Sequence, residues 1–372
     1  MTAEPIPVSP GLWALAWRRL CSDRVAMASL FVLLLFLLTL VLSSTGMVAG
    51  DWNEEVGISY APPSFIGASG SGNADTAAAA DPQPPENPLD PLKDVLRELR
   101  AEMAGKAAPA AGQASSDYGI RDPLEKELAE IRSNLPESGL QPARTRRDTL
   151  PFGADKWGHD IIKKTIKGAE TSIIVGLVAA LLATFLGTLF GALSGYFGKG
   201  VDDVFNWFYS VFTSVPYLLL ILAVAAVLQK KGVLTIVLIL GLTGWTGVFR
   251  LVRAEYMKHK SREYVMAADA IGASHWSRMF SHIFPNISHV ALVQMSILAV
   301  GFIKSEVILS FLGFGVPVGV VSWGSMLNEA QNELILGKWW QLAAATVAMA
   351  VLITAFSLFS DALRDALDPK LK

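Results

Sequence analysis

Six stretches of this chain are apolar enough to leave water and long enough to cross a bilayer, and that restricts the fold more than any other feature. The run from Val25 to Leu42 reads VAMASLFVLLLFLLTLVL, and thirteen of its residues are Val, Leu or Phe. Inserting them is favoured by very roughly 4 to 8 kcal/mol before Ala, Ser and Thr are counted. Further runs cover about 170–196, 204–228, 232–253, 287–312 and 341–362. Each spans a hydrocarbon core of roughly 30 Å when helical. Backbone N–H and C=O groups find no water there, so each run must satisfy them within itself as a helix. The chain is 52% hydrophobic and 17% charged. It therefore reads as an all-α polytopic membrane protein with six transmembrane helices. Arg18, Arg19 and Arg24 before the first run also suit a signal peptide. The apolar core is too long for one, and more spans follow, so 25–47 is expected to be a retained span.

Six spans put both termini on one side, and Lys and Arg choose it. Residues 1–24 carry three arginines, the loop after the fourth run carries Arg250, Arg253, Lys258, Lys260, Arg262 and Arg278, and the tail carries Arg364, Lys370 and Lys372. The opposite short loops offer only Lys230, Lys231 and Lys338. Lys156, Lys163, Lys164 and Lys167 cut the other way, but they belong to a long segment where the rule is weak. The expected topology has both termini in the cytoplasm and residues 48–168 outside. Within that insertion, Gly67 to Pro91 is rich in Ala, Gly, Ser and Pro and reads as mobile or extended. Leu92, Val95, Leu96, Leu99 and Met103 recur at helical spacing, as do Leu124, Leu128, Ile131 and Leu135, predicting two short amphipathic helices. They form either a spacer or a docking surface for an extracytoplasmic partner. Residues 156–168, KWGHDIIKKTIKG, predict an interfacial helix leading into the second span, with Trp157 as its anchor.

The loop between the fourth and fifth runs is unlike an ordinary connector. Glu263 to Asn286 reads EYVMAADAIGASHWSRMFSHIFPN, which predicts two short helices. Ala267, Ala268 and Ala270 allow a foreign surface to approach the backbone. Gly272 permits a sharp reversal, and Pro285 suits the first turn of the following helix. This pattern resembles the coupling loop of ABC-importer permeases: Glu-Ala-Ala, three residues, Gly, nine residues, Ile, one residue, Leu, Pro. Ala267, Ala268, Gly272 and Pro285 are in register. Met266 stands at the Glu position, His282 at the Ile position and Phe284 at the Leu position. Glu263 opens the segment.

More of the chain is similar to the "C"-type permease subunit of oligopeptide and dipeptide ABC importers. Leu150-Pro-Phe-Gly-Ala-Asp155 with Gly158-His-Asp160 resembles its entry segment. Gly195-Tyr-Phe-Gly198 with Val201-Asp202 and Pro216, Gly244-Trp245 with Arg250 and Arg253, Ser310 to Gly315, Ser322-Trp-Gly324 and the tail Asp361 to Pro369 also match. Trp207, Ser210 and Glu170 depart from that family, and the 67–140 insertion is longer than it usually carries. The resemblance covers about 150–372 and the first span. It implies a type I importer fold, with 169–372 as the permease core and 258–286 as the cytoplasmic coupling loop. It also implies a second homologous permease, two ATPase subunits holding ATP and Mg, an extracytoplasmic binding protein, a peptide substrate and a bacterial inner-membrane location.

No P-loop, zinc signature, nucleophile elbow or dinucleotide fingerprint is present, so catalytic, cofactor and metal residues are expected to be absent. Nothing points to nucleic acid. Lys304 and Glu306 lie inside the fifth run, where a lipid-facing charge costs about 2.5–3.5 kcal/mol. Two residues apart, they occupy different helix faces and are not expected to pair. Glu306 is placed near the pathway or the permease seam, with a structural hydrogen bond as the other reading, favoured for Lys304. Gly176, Gly187, Gly191 and Gly195 stripe the second run for close helix packing. Phe205, Trp207, Phe208, Tyr209 and Phe212 read as packing and interface anchors. An ion-gradient-driven transporter, a membrane scaffold, and an ABC permease for nickel chelate, peptide antibiotic or glycoside are the alternatives. None of the first two explains the loop at 263–285.

Overall fold

The computed structural model describes residues 12–67 and 146–367; the two amphipathic segments expected in 92–135 lie outside the described residues. Helix α1, Leu12–Ser22, precedes α2, Arg24–Ser44, and Asp23 caps α2 by accepting from the Val25 N–H at 2.8 Å. The second apolar run is longer than its sequence bounds: α3 extends over 37 residues, Ile161–Phe197. Asp160 caps it, accepting from the Ile162 N–H at 2.8 Å. The interfacial helix expected over 156–168 is thus a turn followed by the first two turns of α3 itself.

The third run, read as one span over 204–228, is broken. Helix α4, Lys199–Thr213, meets α5, Tyr217–Leu228, at 85°. Pro216 supplies no N–H and drives Val215 out of the helical region. Helix α4 buries no residue completely, and α5 only Ile221 and Ala225. Helices α6, Val233–Thr243, and α7, Thr246–Lys260, continue one another. After the short α8, Glu263–Ala270, come α9, Phe284–Phe311, then α10, Trp323–Ile335, and α11, Trp340–Leu367. Five helices among the described residues are long and apolar enough to span a membrane, six if the bent pair counts as one.

Helix α3 is the central post. Its apolar face packs with α5, α6 and α9 through Val175, Ala179, Ala183, Ile221, Leu240 and Phe302. A second layer joins α2, α9, α10 and α11 around Ile303, Val307, Trp323 and Leu352. Trp245, buried at the junction of α6 and α7, meets Phe190, Phe208, Phe212 and Phe249, with Phe208 stacked at 5.3 Å. Most of the aromatic run at the start of the third span is therefore packing, while Trp207 points outward, 69% exposed.

The insertion begins and ends on a laced base. Gly57 N–H donates to the Gly158 carbonyl at 2.9 Å, Tyr60 to Asp155 at 2.9 Å, Ser64 to Leu150 at 2.8 Å and Ala154 to Ala61 at 2.8 Å. These bonds hold residues 54–66 beside 147–160 without forming a strand among the described residues. We call this the strap. It lies at the α2 C-terminal end of the bundle, and the 263–286 loop lies at the other.

Candidate functional site

The 263–286 loop is built on buried anchors. Val265, Met279 and Ile283 pack with Tyr196, Val252, Tyr256 and Ile287, and the Tyr256 hydroxyl donates to the Met279 carbonyl at 3.2 Å. The reversal falls at Gly272, whose φ is +82°, a left-handed conformation that only glycine adopts without strain. The second predicted helix is not a separate element. The chain is helical from His275, widens into a π-helical turn over Ser277–Ile283 and runs directly into α9. Pro285 gives the cause. Its ring clashes with the carbonyl four residues back in a regular helix, and a widened turn relieves that clash. The Asn286 side chain donates to the His282 carbonyl at 2.7 Å.

A polar lock ties this loop to the end of α3. Arg278 pairs with Asp269 and donates to His275 Nδ1 at 2.9 Å, while the Tyr196 hydroxyl lies 3.1 Å from the same nitrogen. Because Arg can only donate, that nitrogen accepts. A second lock sits nearby. Arg253 of α7 binds Asp202 of α4 through two bonds of 2.6 Å, and Asn206 and Ser194 donate to the same carboxylate. Such bidentate pairs fix orientation as well as distance. The sequence contained each partner, but nothing in the spacing announced either lock.

Of the residues predicted to form the docking surface, Glu263, Met266, Ala267, Gly272 and Pro285 are exposed, His282 and Phe284 are half-buried, and Ala268 is buried. Three residues missed from sequence complete the face. Ile271 is 83% exposed at the tip, and Trp276 stacks on Phe280 with ring centroids 5.7 Å apart. The face is thus an apolar knob beside an aromatic step.

Toward the other end of the bundle, Glu306 and Lys304 take opposite places. Glu306 is fully buried within the chain. Ser172 of α3 donates to it at 2.6 Å and Ser310 at 2.7 Å; the Trp323 N–H then reaches Ser172 at 3.3 Å. The carboxylate thereby braces α3, α9 and the start of α10. Lys304 is exposed on the opposite side of α9. Glu306→Ala is expected to destabilise the fold by about 1–3 kcal/mol, because two buried hydroxyls lose their acceptor. Glu306→Gln, which keeps one acceptor oxygen, should lose less. Thermal unfolding in detergent distinguishes them.

Comparison with known proteins places this architecture. The family described as binding-protein-dependent transport system inner membrane component matches residues 187–372, which include both locks, the whole loop and α9 to α11. The chain belongs to that family. A second family, the N-terminal transmembrane domain of oligopeptide transport permease C, matches residues 11–63, covering α1, α2 and the first half of the strap. The permease is 34% identical over 242 residues to the dipeptide transport system permease protein DppC of Bacillus subtilis, covering 65% of this chain and 74% of that one. It is 36% identical over 221 residues to the oligopeptide transport system permease protein OppC of the same organism, covering 59% and 72%. The peptidoglycan transport system permease protein YejE of Agrobacterium fabrum is 32% identical over 238 residues, covering 64% and 62%. The protein is a multi-pass transmembrane subunit of an ABC importer.

Proposed function

We propose that this permease carries short peptides into a bacterial cell as one of two paired transmembrane subunits. The observation that carries the mechanism is the 263–286 loop: an apolar tip at Ile271 and Met266, raised on a rigid, twice-locked base. Separate ATPase subunits, holding ATP and Mg, dock there from the cytoplasm. Their closure on ATP pushes the loop, and the π-helical turn passes the displacement straight into α9. ATP does work on the cavity only insofar as it binds the closed ATPase pair more tightly. An extracytoplasmic binding protein delivers peptide at the strap end. The peptide assignment rests on the relatives named for dipeptide and oligopeptide transport. Both termini lie in the cytoplasm on the balance of Lys and Arg.

Lys304 is the exposed member of the pair placed near the pathway or the permease seam. It stands two turns, roughly 10 Å, before the end of α9, on a face no other part of the described chain covers. A lysine exposed there is stable only against a polar partner, so we place it at the seam with the second permease or on the pathway between them. Lys304→Glu is expected to abolish most uptake while changing unfolding stability by less than about 0.5 kcal/mol. Uptake of labelled peptide by cells, set beside thermal unfolding of the purified chain, tests this.

The function as a whole is tested by purifying the tagged permease from its native membrane. Two ATPases and a second permease should co-elute, with ATP hydrolysis stimulated by a peptide-loaded binding protein. A chain that elutes alone and moves solute along an ion gradient would overturn the assignment.

A further inference from the structure

At the strap end, four elements converge on a buried charge cluster that neither the loop nor the pathway uses. Lys164 of α3, 3% exposed, donates to Asp155 of the strap at 2.7 Å, to Glu329 of α10 at 2.6 Å and to Gln341 of α11 at 3.3 Å. His159 adds a contact to Asp155 at 2.9 Å, and Gln341 returns a bond to the Met326 carbonyl at 3.0 Å. The indole of Trp340 donates to the Ala154 carbonyl at 2.7 Å. Within this junction lies Glu333 of α10, only 1% exposed; no side chain among the described residues donates to its carboxylate, and the Lys156 backbone N–H is the donor that faces it. The groups facing it are Asp155 and the Lys156 backbone from the strap, Lys164 from α3 and Glu329 one turn away on α10. His159 stands behind Asp155.

Counted as charges, three carboxylates share one lysine. Two of them, Asp155 and Glu329, already take its hydrogen bonds. A third anion, buried and without a side-chain donor, would face a desolvation penalty and two like charges. We propose that Glu333 is a proton-binding site: it is held neutral when the strap is closed on α10, and its ionisation releases that contact. The cluster then acts as an acid-favoured latch on the outer segment between the fifth and sixth spans. The inference does not depend on which substrate crosses the membrane or on which side the strap lies.

The direction of the effect follows from the two carboxylates. Burial pushes Glu333 up to about 7, with the Asp155 and Glu329 charges adding to it and Lys164 opposing. A carboxylate raised on closing binds its proton more tightly in the closed state. The latch therefore loses strength as pH rises from the ordinary glutamate value to about 7, and changes no further above it. Asp155 runs the other way. Burial alone would raise it, but His159 and Lys164 hold it well below the usual carboxylate range, so it stays ionised across that window.

The test uses the full-length permease in lipid nanodiscs, with exposed Cys21 replaced by Ser. Ala330, fully buried one turn before Glu333, is changed to Cys, and Ile335, 83% exposed on the same helix, is changed to Cys in a separate reference chain. Labelling by a hydrophilic maleimide is read as the ratio of the two rates, which cancels thiol ionisation. The ratio is expected to rise at least tenfold between pH 5 and pH 7 and then level off, since a site of this kind shifts its equilibrium up to tenfold per pH unit between its open and closed values. In Glu333→Gln the ratio should stay low and flat. Should Ala330→Cys not fold, Met326→Cys, equally buried on the same helix, replaces it. A ratio independent of pH in the parent overturns the proposal. So does the same pH dependence in Glu333→Gln.

Discussion

Gly191→Val is expected to remove the folded permease altogether. Helix α3 carries Gly187, Gly191 and Gly195 one turn apart, and α7 lies directly on them. A Cβ at Gly191 would stand 2.8 Å from the Phe249 carbonyl oxygen and 3.0 Å from the Arg253 nitrogen. At Gly187 it would meet the Trp245 carbonyl at 2.6 Å, and at Gly195 the Arg253 carbonyl at 2.6 Å. These neighbours are backbone, so no side-chain rotation relieves the clash, and α7 must move away as a unit. That movement pulls Trp245 and Phe249 from their aromatic cluster and Arg253 from Asp202. Membrane helices gain no hydrophobic drive to re-close, because lipid is as apolar as the lost contact. A loss above about 3 kcal/mol is expected, of the size seen when a core is overpacked or a buried network broken. Gly247→Ala is the control: it sits in α7 with open space around it and should be neutral or slightly stabilising. Size-exclusion of detergent extracts before and after heating decides the matter. A Gly191→Val chain that elutes as a single species with the parent's melting temperature would show that the ladder does not hold α3 to α7.

The ladder was legible in the sequence because a four-residue repeat of glycine has one physical meaning on a helix. The spans were legible for a similar reason: a long apolar run has only one stable form in lipid. The family motif at 263–285 was legible through its spacing. What stayed hidden depends on contacts between distant positions. Asp202 and Arg253 are 51 residues apart, and Lys164 and Gln341 are 177 apart. Lys164 read as one of several interfacial lysines, and only the fold shows it buried among carboxylates. Pro216 was visible, yet its run was apolar enough to look like one span. The sequence separated Glu306 from Lys304 onto different faces, but which face pointed inward depended on where α3 packs. The π-helical turn follows from Pro285 only once the preceding residues are known to be helical.

Ile271→Asp is expected to abolish transport while leaving this chain folded. Ile271 closes α8 and is 83% exposed, so within this chain its side chain has almost nothing to lose. Stability should change by less than about 0.5 kcal/mol, as for other open surface positions. The anchors beneath it, Val265, Met279 and Ile283, are untouched, and so is the Tyr196–His275–Arg278 lock. At a docked ATPase the situation reverses. An apolar tip in a partner's groove is replaced by a carboxylate that must be desolvated without a donor. A buried, unpaired charge costs about 3–5 kcal/mol, which weakens docking by a factor of roughly a hundred to several thousand. Ile271→Val keeps the apolar contact and should retain most uptake. Gly272→Val should also fail, but for a different reason: a β-branched residue is forced into a left-handed backbone, which strains the loop in the isolated chain. Melting temperature therefore separates the two variants, unchanged for Ile271→Asp and lowered for Gly272→Val. Co-purification of the ATPases and peptide uptake complete the comparison. An Ile271→Asp permease that keeps its ATPases and transports at the parent rate would mean that the tip is not the point of contact, and that force enters the membrane domain elsewhere.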